Sequence, residues 1–260
     1  MLIPRIIPCL LIEDGAMVKT RRFKGRTYLG DPTNVINLFN CFEVDEIVLL
    51  DIGATVRGSG PDVALIQNLA DECWVPLTYG GGIRSVSDVE RLIHAGVEKV
   101  VIGHAAAEDL SVVTDSARTF GTQCIVGSLD VRRNFFGTYE SRTLNATHNL
   151  KTPPVERARA LEQAGVGELL LQSVDRDGEM TGYDLKTIAA VTAAVDIPVV
   201  ACGGAARRED LAAPIKDAGA SASAAGSLFV FSGAERGVLI NFPERCYLEA
   251  LLSGVAEAAH

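Results

Sequence analysis

Asp130 ends an apolar run, Gln123–Leu129, and a carboxylate in that position is a candidate general acid or base. Two glycine clusters follow other apolar runs: Gly80-Gly81-Gly82 after Val75-Pro76-Leu77-Thr78-Tyr79, and Gly203-Gly204 after Ile197-Pro198-Val199-Val200-Ala201-Cys202. Glycines let the backbone approach an anion closely, and the helix that follows offers unpaired N–H groups to it. Ala225-Gly226-Ser227 adds a third such end, with a hydroxyl. Asp51 and Asp177-Gly178 also close apolar runs: Asp177-Gly178 is a candidate partner for substrate hydroxyls or a phosphate, and Asp51 is equally a substrate ligand or a structural cap and partner for a loop arginine. Lys19 begins a basic stretch, Lys19-Thr20-Arg21-Arg22-Phe23-Lys24, that reads equally as a mobile loop over the same region or as a solvated charge run. At the opposite ends of the runs stand Arg5, Glu46, Lys99 and Glu168, two cations and two anions.

Eight apolar, β-rich runs must position these groups: Ile6–Leu11, Glu46–Leu50, Pro76–Tyr79, Lys99–Ile102, Gln123–Leu129, Glu168–Gln172, Pro198–Ala201 and Ala220–Ala224. Near-continuous apolarity fits strands buried on both faces of a parallel sheet. Amphipathic stretches separate them, such as Pro61–Cys73, Val86–Ala95, Val155–Ala164 and Arg208–Ala218. Asp31-Pro32, Ser85, Ser87 and Asp184 read as helix caps, and Gly96, Gly165 and Gly219 as helix ends. The fold class is therefore α/β, and the expected architecture is a (β/α)8 barrel with its chemistry at the carboxyl ends of the strands. The chain also echoes itself, since the motif at Val75–Gly82 returns at Ile197–Gly204 and His94-Ala95-Gly96-Val97 returns as Asp217-Ala218-Gly219-Ala220. A single domain over residues 1–260 is expected, built from two duplicated half-barrels at about 1–120 and 121–253. By that repeat Asp130 is equivalent to Leu11, so a two-carboxylate mechanism has half its machinery. Glu13 and Asp14 are the nearby carboxylates, both expected in a turn. Arg132–Thr147 reads as a hairpin inserted after the fifth strand.

Composition narrows the function. A formal charge of −9 argues against a nucleic-acid surface. No apolar stretch has the length of a membrane span, and the N-terminus lacks a signal-peptide pattern, so a soluble cytoplasmic protein is expected. Six scattered cysteines without a C-x-x-C pair read as reduced, buried thiols. Four histidines without ligand spacing give no metal site, and no cofactor is expected.

These residues together resemble the cyclase subunit of imidazole glycerol phosphate synthase. The resemblance runs through Arg-Ile-Ile-Pro-Cys at 5–9, Gly-Asp-Pro at 30–32, Asp45-Glu46, Leu50-Asp51, Gly-Gly-Gly-Ile at 80–83, Glu-Lys-Val at 98–100, Asp130, Ser-Val-Asp-Arg-Asp-Gly at 173–178, Gly-Tyr-Asp at 182–184 and Gly-Gly-Ala at 203–205. It implies a barrel that carries a glutaminase on its lower face and passes ammonia upward to a phosphorylated ligand. By the same resemblance Arg5, Glu46, Lys99 and Glu168 form the ammonia gate. Two departures strike the cyclase chemistry. The family's paired catalytic aspartates fall on Leu11 and Asp130, and the asparagine–threonine pair of its first phosphate site falls on Gly103 and His104. The chain is similar to a branch found with surface-polysaccharide genes, at Cys-Leu-Leu (9–11), Met17-Val18-Lys19-Thr20, Asp130-Val131 with Asn134-Phe135-Phe136-Gly137, residues 224–231 and residues 238–243. That branch implies a third partner, a sugar amidotransferase.

Three functions follow as expectations. The first is an ammonia-conducting barrel for amidination of a polysaccharide sugar. The second is a working cyclase, a lyase of histidine biosynthesis, with Asp130 as its acid/base. The third is a non-catalytic allosteric activator of a glutaminase.

Overall fold

The computed structural model describes residues 4–233 and 235–253. Strands are β1 (Arg5–Glu13), β2 (Ala16–Arg21), β3 (Lys24–Gly30), β4 (Ile47–Asp51), β5 (Leu77–Gly80), β6 (Lys99–Ile102), β7 (Ile125–Arg133), β8 (Tyr139–Thr143), β9 (His148–Asn149), β10 (Glu168–Ser173), β11 (Val199–Cys202) and β12 (Ala222–Ala225). The principal helices are α1 (Pro32–Cys41), α2 (Ala54–Arg57), α3 (Val63–Glu72), α4 (Val86–His94), α5 (His104–Glu108), α6 (Ser111–Phe120), α7 (Pro154–Ala164), α8 (Leu185–Thr192), α9 (Ala213–Ala218), α10 (Ser227–Val230) and α11 (Arg245–Leu252). Strands β1, β4, β5, β6, β7, β10, β11 and β12 pair in parallel in that order, and β12 returns to β1, closing a (β/α)8 barrel.

Strand pleating sorts the side chains into two cores. Ile7, Cys9, Val48, Val101, Val126, Leu170 and Val200 point into the barrel with Ala222 and Ala224, and form an apolar bore. Their neighbours Ile6, Leu10, Ile47, Leu49, Val100, Ile102, Ile125, Leu169 and Leu171 pack outward under the helices. With both faces covered, β1 is buried at every position from Ile6 to Ile12, as a parallel strand requires. Helix ends follow local chemistry. Asp31 caps α1 ahead of Pro32, and Ser85 and Asp88 form a reciprocal capping box on α4. Asp184 caps α8, while Gly165 and Gly219 end α7 and α9 in left-handed conformations.

Several expectations are corrected. Strand β1 runs two residues past Leu11, so Glu13 is a strand residue, and only Asp14 lies in the turn with Gly15. Strand β7 likewise continues past Asp130 to Arg133, because antiparallel pairing with β8 extends it. Ser87 lies inside α4 and caps nothing, since Ser85 already satisfies the first turn. Arg208–Ala212 is a 3-10 turn ahead of the short helix α9, where Pro214 follows at the helix start. The stretch beginning at Lys19 is no loose loop: β2 and β3 form a hairpin on β1. A second hairpin, β7–β8, stands after the fifth barrel strand, where the sequence pattern expects one. The cysteines are all free thiols, but only Cys9 is buried, and Cys41 and Cys246 are exposed.

Candidate functional site

The lower end of the barrel carries a closed ring of four charges. Arg5 opens β1, Lys99 opens β6, Glu168 opens β10, and Glu46 immediately precedes β4. The Arg5 guanidinium bonds to both Glu46 and Glu168. Lys99 Nζ reaches Glu46 Oε2 at 3.0 Å and Glu168 Oε2 at 3.0 Å, so each anion touches both cations. Thr78 donates to Glu46 Oε1 at 2.6 Å. The two glutamates are buried, which is tolerable because every carboxylate oxygen accepts from at least one donor. Burial acts to lower the Arg5 pKa, but hydrogen bonds and charge from Glu168 and then Glu46 outweigh it and raise it. The two cations sit further out than the anions, with side chains 29% and 21% exposed. On the same face, the loop ahead of β5 exposes Trp74, the only tryptophan in the chain, and the loop after α1 exposes Phe42.

The upper end opens into one cavity. It gathers every mouth residue singled out from sequence: Leu11, Lys19, Asp51, Gly81, Gly82, Asp130, Asp177, Gly178, Gly203, Gly204, Gly226 and Ser227. Their geometry sorts them by role. Asp130 points inward beside Ser128, two residues earlier on the same strand face, whose hydroxyl donates to Asp130 Oδ1 at 3.2 Å. Burial pushes the Asp130 carboxyl up to about 7; the Ser128 hydrogen bond opposes the shift and the charge of Asp177 adds to it. Part of its surface faces the cavity even though the group lies deep within it. Leu11 lines the cavity from β1 as an apolar side chain, so the mouth has no second carboxylate at the level of the first. Glu13 is turned onto Arg26 and Asp14 onto Arg57, and neither lines the mouth.

Asp51 is committed to the backbone. Its Oδ1 accepts from Gly53 N and Ala54 N, both at 2.9 Å, and Arg57 lies 3.6 Å from Oδ2. Burial still raises its pKa, against those N–H groups and Arg57. Lys19 and Asp177 form a clamp. Lys19 Nζ meets Asp177 Oδ1 at 2.6 Å, and Thr20 Oγ1 and Phe23 N donate to Oδ2 at 2.9 and 3.2 Å. The clamp lays the β2–β3 hairpin across the mouth onto the loop after β10. Arg236 adds a bond to Gly178 O at 2.6 Å. Lys19 is therefore buried rather than mobile, a further correction.

The glycines are demanded by chain packing as well as by any ligand. Gly204 has φ +118°, and a Cβ there would lie 2.2 Å from Gly182 O. Gly82 has φ +69°, and a Cβ would lie 2.6 Å from the Gly60 carbonyl carbon. Ser227 is different: its Oγ is buried in the cavity wall and has no partner. A buried hydroxyl without a partner costs roughly 1–3 kcal/mol. At the matching place after β6, His104 faces the cavity, with Nδ1 3.4 Å from Thr143 Oγ1.

Sequence reasoning gave no role to Ser128, Thr20, Gln172 or Cys202. Ser128 was detectable from its spacing of two before Asp130 on one strand. Gln172 and Cys202 line the mouth from the ends of β10 and β11. The Cys202 thiol is raised well above its usual range by a hydrogen bond with Cys9 and by burial, so it stays a neutral thiol. Among the described residues no three His, Cys, Asp or Glu side chains are grouped as metal ligands, and no helix is long and apolar enough to cross a membrane.

Known proteins match this architecture along almost the whole chain. The family described as Histidine biosynthesis protein matches residues 5–234. A Pseudomonas aeruginosa protein provisionally named imidazole glycerol phosphate synthase subunit hisF2 is 47% identical over 240 residues, 92% of this chain and 96% of its own. A Leptospira interrogans protein provisionally named as the HisF subunit is 40% identical over 252 residues, 96% of this chain and 99% of its own. In Hyphomonas neptunium a protein named outright as imidazole glycerol phosphate synthase subunit HisF is 41% identical over 234 residues, 90% of this chain and 92% of its own. Barrel, ring and mouth thus coincide with a match that covers nearly all of the sequence, and the chain belongs to the histidine biosynthesis protein family as a cyclase-like barrel of the imidazole glycerol phosphate synthase type.

Proposed function

We propose that this chain is the ammonia-conducting barrel subunit of a glutamine-dependent amidotransferase system. A glutaminase docks on the lower face around Arg5, Glu46, Lys99 and Glu168. The ammonia it frees rises through the bore and leaves at the mouth, for a sugar amidotransferase that puts its nitrogen in place of the acetamido oxygen of a surface-polysaccharide sugar, giving an acetamidino group with that oxygen leaving as water. The observation that carries this reading is a contrast in completeness: the ring has all four charges in mutual contact, while the mouth presents Leu11 where an acid/base pair needs a second carboxylate.

The chain's own residues account for the conduction. Neutral ammonia needs no counter-charge in an apolar bore, whereas ammonium loses its hydration there without replacement. Arg5 and Lys99 repel ammonium at the lower end. They are also the more exposed ring members, so a carboxylate on a docked partner draws them outward and opens the gap. At the upper end ammonia meets Asp130, which titrates near neutrality and as a carboxylate accepts an N–H. The mouth still suits a phosphorylated ligand at Ser227, Gly226, Gly203 and Gly204, with Ser227 Oγ waiting for an acceptor.

The cyclase of histidine biosynthesis is the second reading, favoured by Asp130 and by the name of the Hyphomonas relative. Loss of one acid/base group costs ~10²–10⁴-fold in rate. Both readings meet in one assay: ammonia-dependent turnover, without glutaminase, of the phosphorylated aminoimidazole-precursor nucleotide of histidine synthesis. The proposal expects no turnover by the unmodified chain. Robust turnover, with Leu11→Asp run in parallel, overturns it in favour of the cyclase.

A further inference from the structure

We propose that the seam between β6 and β8, behind the wall that carries Asp130, binds a monovalent inorganic anion of halide size, with chloride as the natural occupant. The inference stands on the seam alone and not on the fate of the ammonia.

Strand pairing makes the seam. Strand β6 pairs with β7 only as far as Ile102 against Gly127, and β8 takes over the same edge from Arg142 against Asp130. Strand β10 occupies the other edge of β7 throughout this stretch. Ser128 and Leu129 are thus left without a strand partner on one side, and a small cavity fills the gap. Gly103, Ser128, Asp130, Arg142, Thr143 and Arg157 are in its wall. The first three also line the mouth, so the two cavities share a partition. Gly103 is its thin part: a Cβ there would lie 3.3 Å from Ser128 Cβ.

Arg157 supplies the charge. It stands on α7 with Pro154, Ala158 and Leu161, a stripe at i, i+3, i+4 and i+7 that faces the core. Such a position ordinarily holds an apolar residue. Arg157 is 8% exposed, and among the described residues its side chain has neither a hydrogen-bond acceptor nor a carboxylate partner. Burial lowers its pKa with no opposite charge to offset the effect. A guanidinium nonetheless keeps its proton, so a full cation is buried without a counter-charge. Arg142 brings a second donor. Its Nη2 donates to Glu140 Oε2 at 2.6 Å, which neutralises it, while its Nε is buried and has no partner.

Charge and size together name the occupant. Asp130, the carboxyl in this wall, is held against ionisation by burial. The seam therefore keeps one unpaired positive charge and fits one negative. The cavity measures about 10 Å³, the room that one water-sized sphere takes. A phosphate or carboxylate group is far larger. Water has the right size but leaves the charge uncancelled, and an unpaired buried ion is strongly destabilising. Chloride is little larger than water and cancels the charge.

The test uses the full chain. Crystals grown in sodium bromide are measured at the bromine absorption edge, and an anomalous peak within hydrogen-bond reach of the Arg157 guanidinium is expected. Density there without an anomalous signal, a water only, overturns the proposal. So does a guanidinium turned onto a backbone carbonyl. In solution, thermal melts exchange gluconate for chloride at constant ionic strength. Raising chloride from about 1 to about 100 mM should lift the melting temperature of the parent by roughly 2–5 °C, and Arg157→Met should abolish that shift. A parent without the shift means binding at crystal concentration only and overturns the site, as does a variant that keeps the shift. Sulfate and phosphate in place of chloride should act equally on parent and variant. Protection by either that depends on Arg157 gives the seam to an oxyanion and overturns the halide. If Arg157→Met does not fold, the bromide map and the chloride melts of the parent decide the question.

Discussion

The two ends of the barrel hold similar inventories of charge and use them in opposite ways. At the lower end all four ring charges are paired, and the set is neutral and closed. At the upper end the groups are left wanting: Asp130 sits where burial resists its ionisation, Ser227 has no partner, and Leu11 faces the space that a partner carboxylate would fill. A satisfied network is a structure that something else must open. An unsatisfied one is a structure that something else must complete.

Removing a member of the satisfied end should have the largest effect. Glu46→Ala strips Arg5, Lys99 and Thr78 of their shared acceptor, and a cost of about 3–5 kcal/mol is expected, as for a buried pair broken on one side. Urea denaturation measures it. A cost below about 1 kcal/mol would mean that the ring is solvated like a surface pair, and the contrast between the ends would collapse.

At the unsatisfied end the sign reverses. The folded-state pKa of Asp130 is raised from 3.8 to about 7. The folded protein therefore binds its proton more tightly than the unfolded chain. That stabilisation is complete below the ordinary carboxylate range and is lost as pH rises through about 7. Asp130→Asn should thus gain stability over the parent between pH 4 and pH 8, by up to about 4 kcal/mol. Thermal melts across that range would show a widening gap; a constant difference would place Asp130 in a solvated site.

The Lys19–Asp177 clamp lies between these extremes, belonging to the mouth yet satisfied. Lys19→Met should cost about 2–4 kcal/mol, part of it from leaving Asp177 without its cation, and should raise hydrogen exchange selectively in residues 16–30. Exchange that stays slow there would show the hairpin to be held by β1 alone. Ser227→Ala should give the smallest change, a gain in stability of about 1 kcal/mol, because it removes an unpartnered buried hydroxyl and no hydrogen bond is lost. Inorganic phosphate should nonetheless protect the parent against heat more than the variant. Equal protection would remove Ser227 from the anion site.

The legible part of this molecule was whatever follows a period or a strand end. Eight apolar runs at parallel-strand length led to the barrel, and residues at run ends led to both the ring and the mouth, because pleating and closure place all such ends together. What stayed hidden depends on contacts between segments distant in sequence. The basic run at Lys19–Lys24 looks like a solvated loop, and nothing local shows that Asp177, far along the chain, buries Lys19 and fixes the hairpin. Asp51 reads equally as a substrate ligand or as a structural cap, and only its contacts with Gly53 and Ala54 show the cap. Ser227 could be placed at the mouth from sequence, but its lack of a partner is a property of the packed wall alone.

Trp74 gives the molecule a one-sided optical label. It is the sole indole and stands in water on the face that carries the ring, far from the mouth. A glutaminase covering the lower face should shift its emission to the blue and shield it from iodide, whereas a ligand entering the mouth should leave it unchanged. Two binding events on one barrel are thereby separable in a cuvette, by colour rather than by mass.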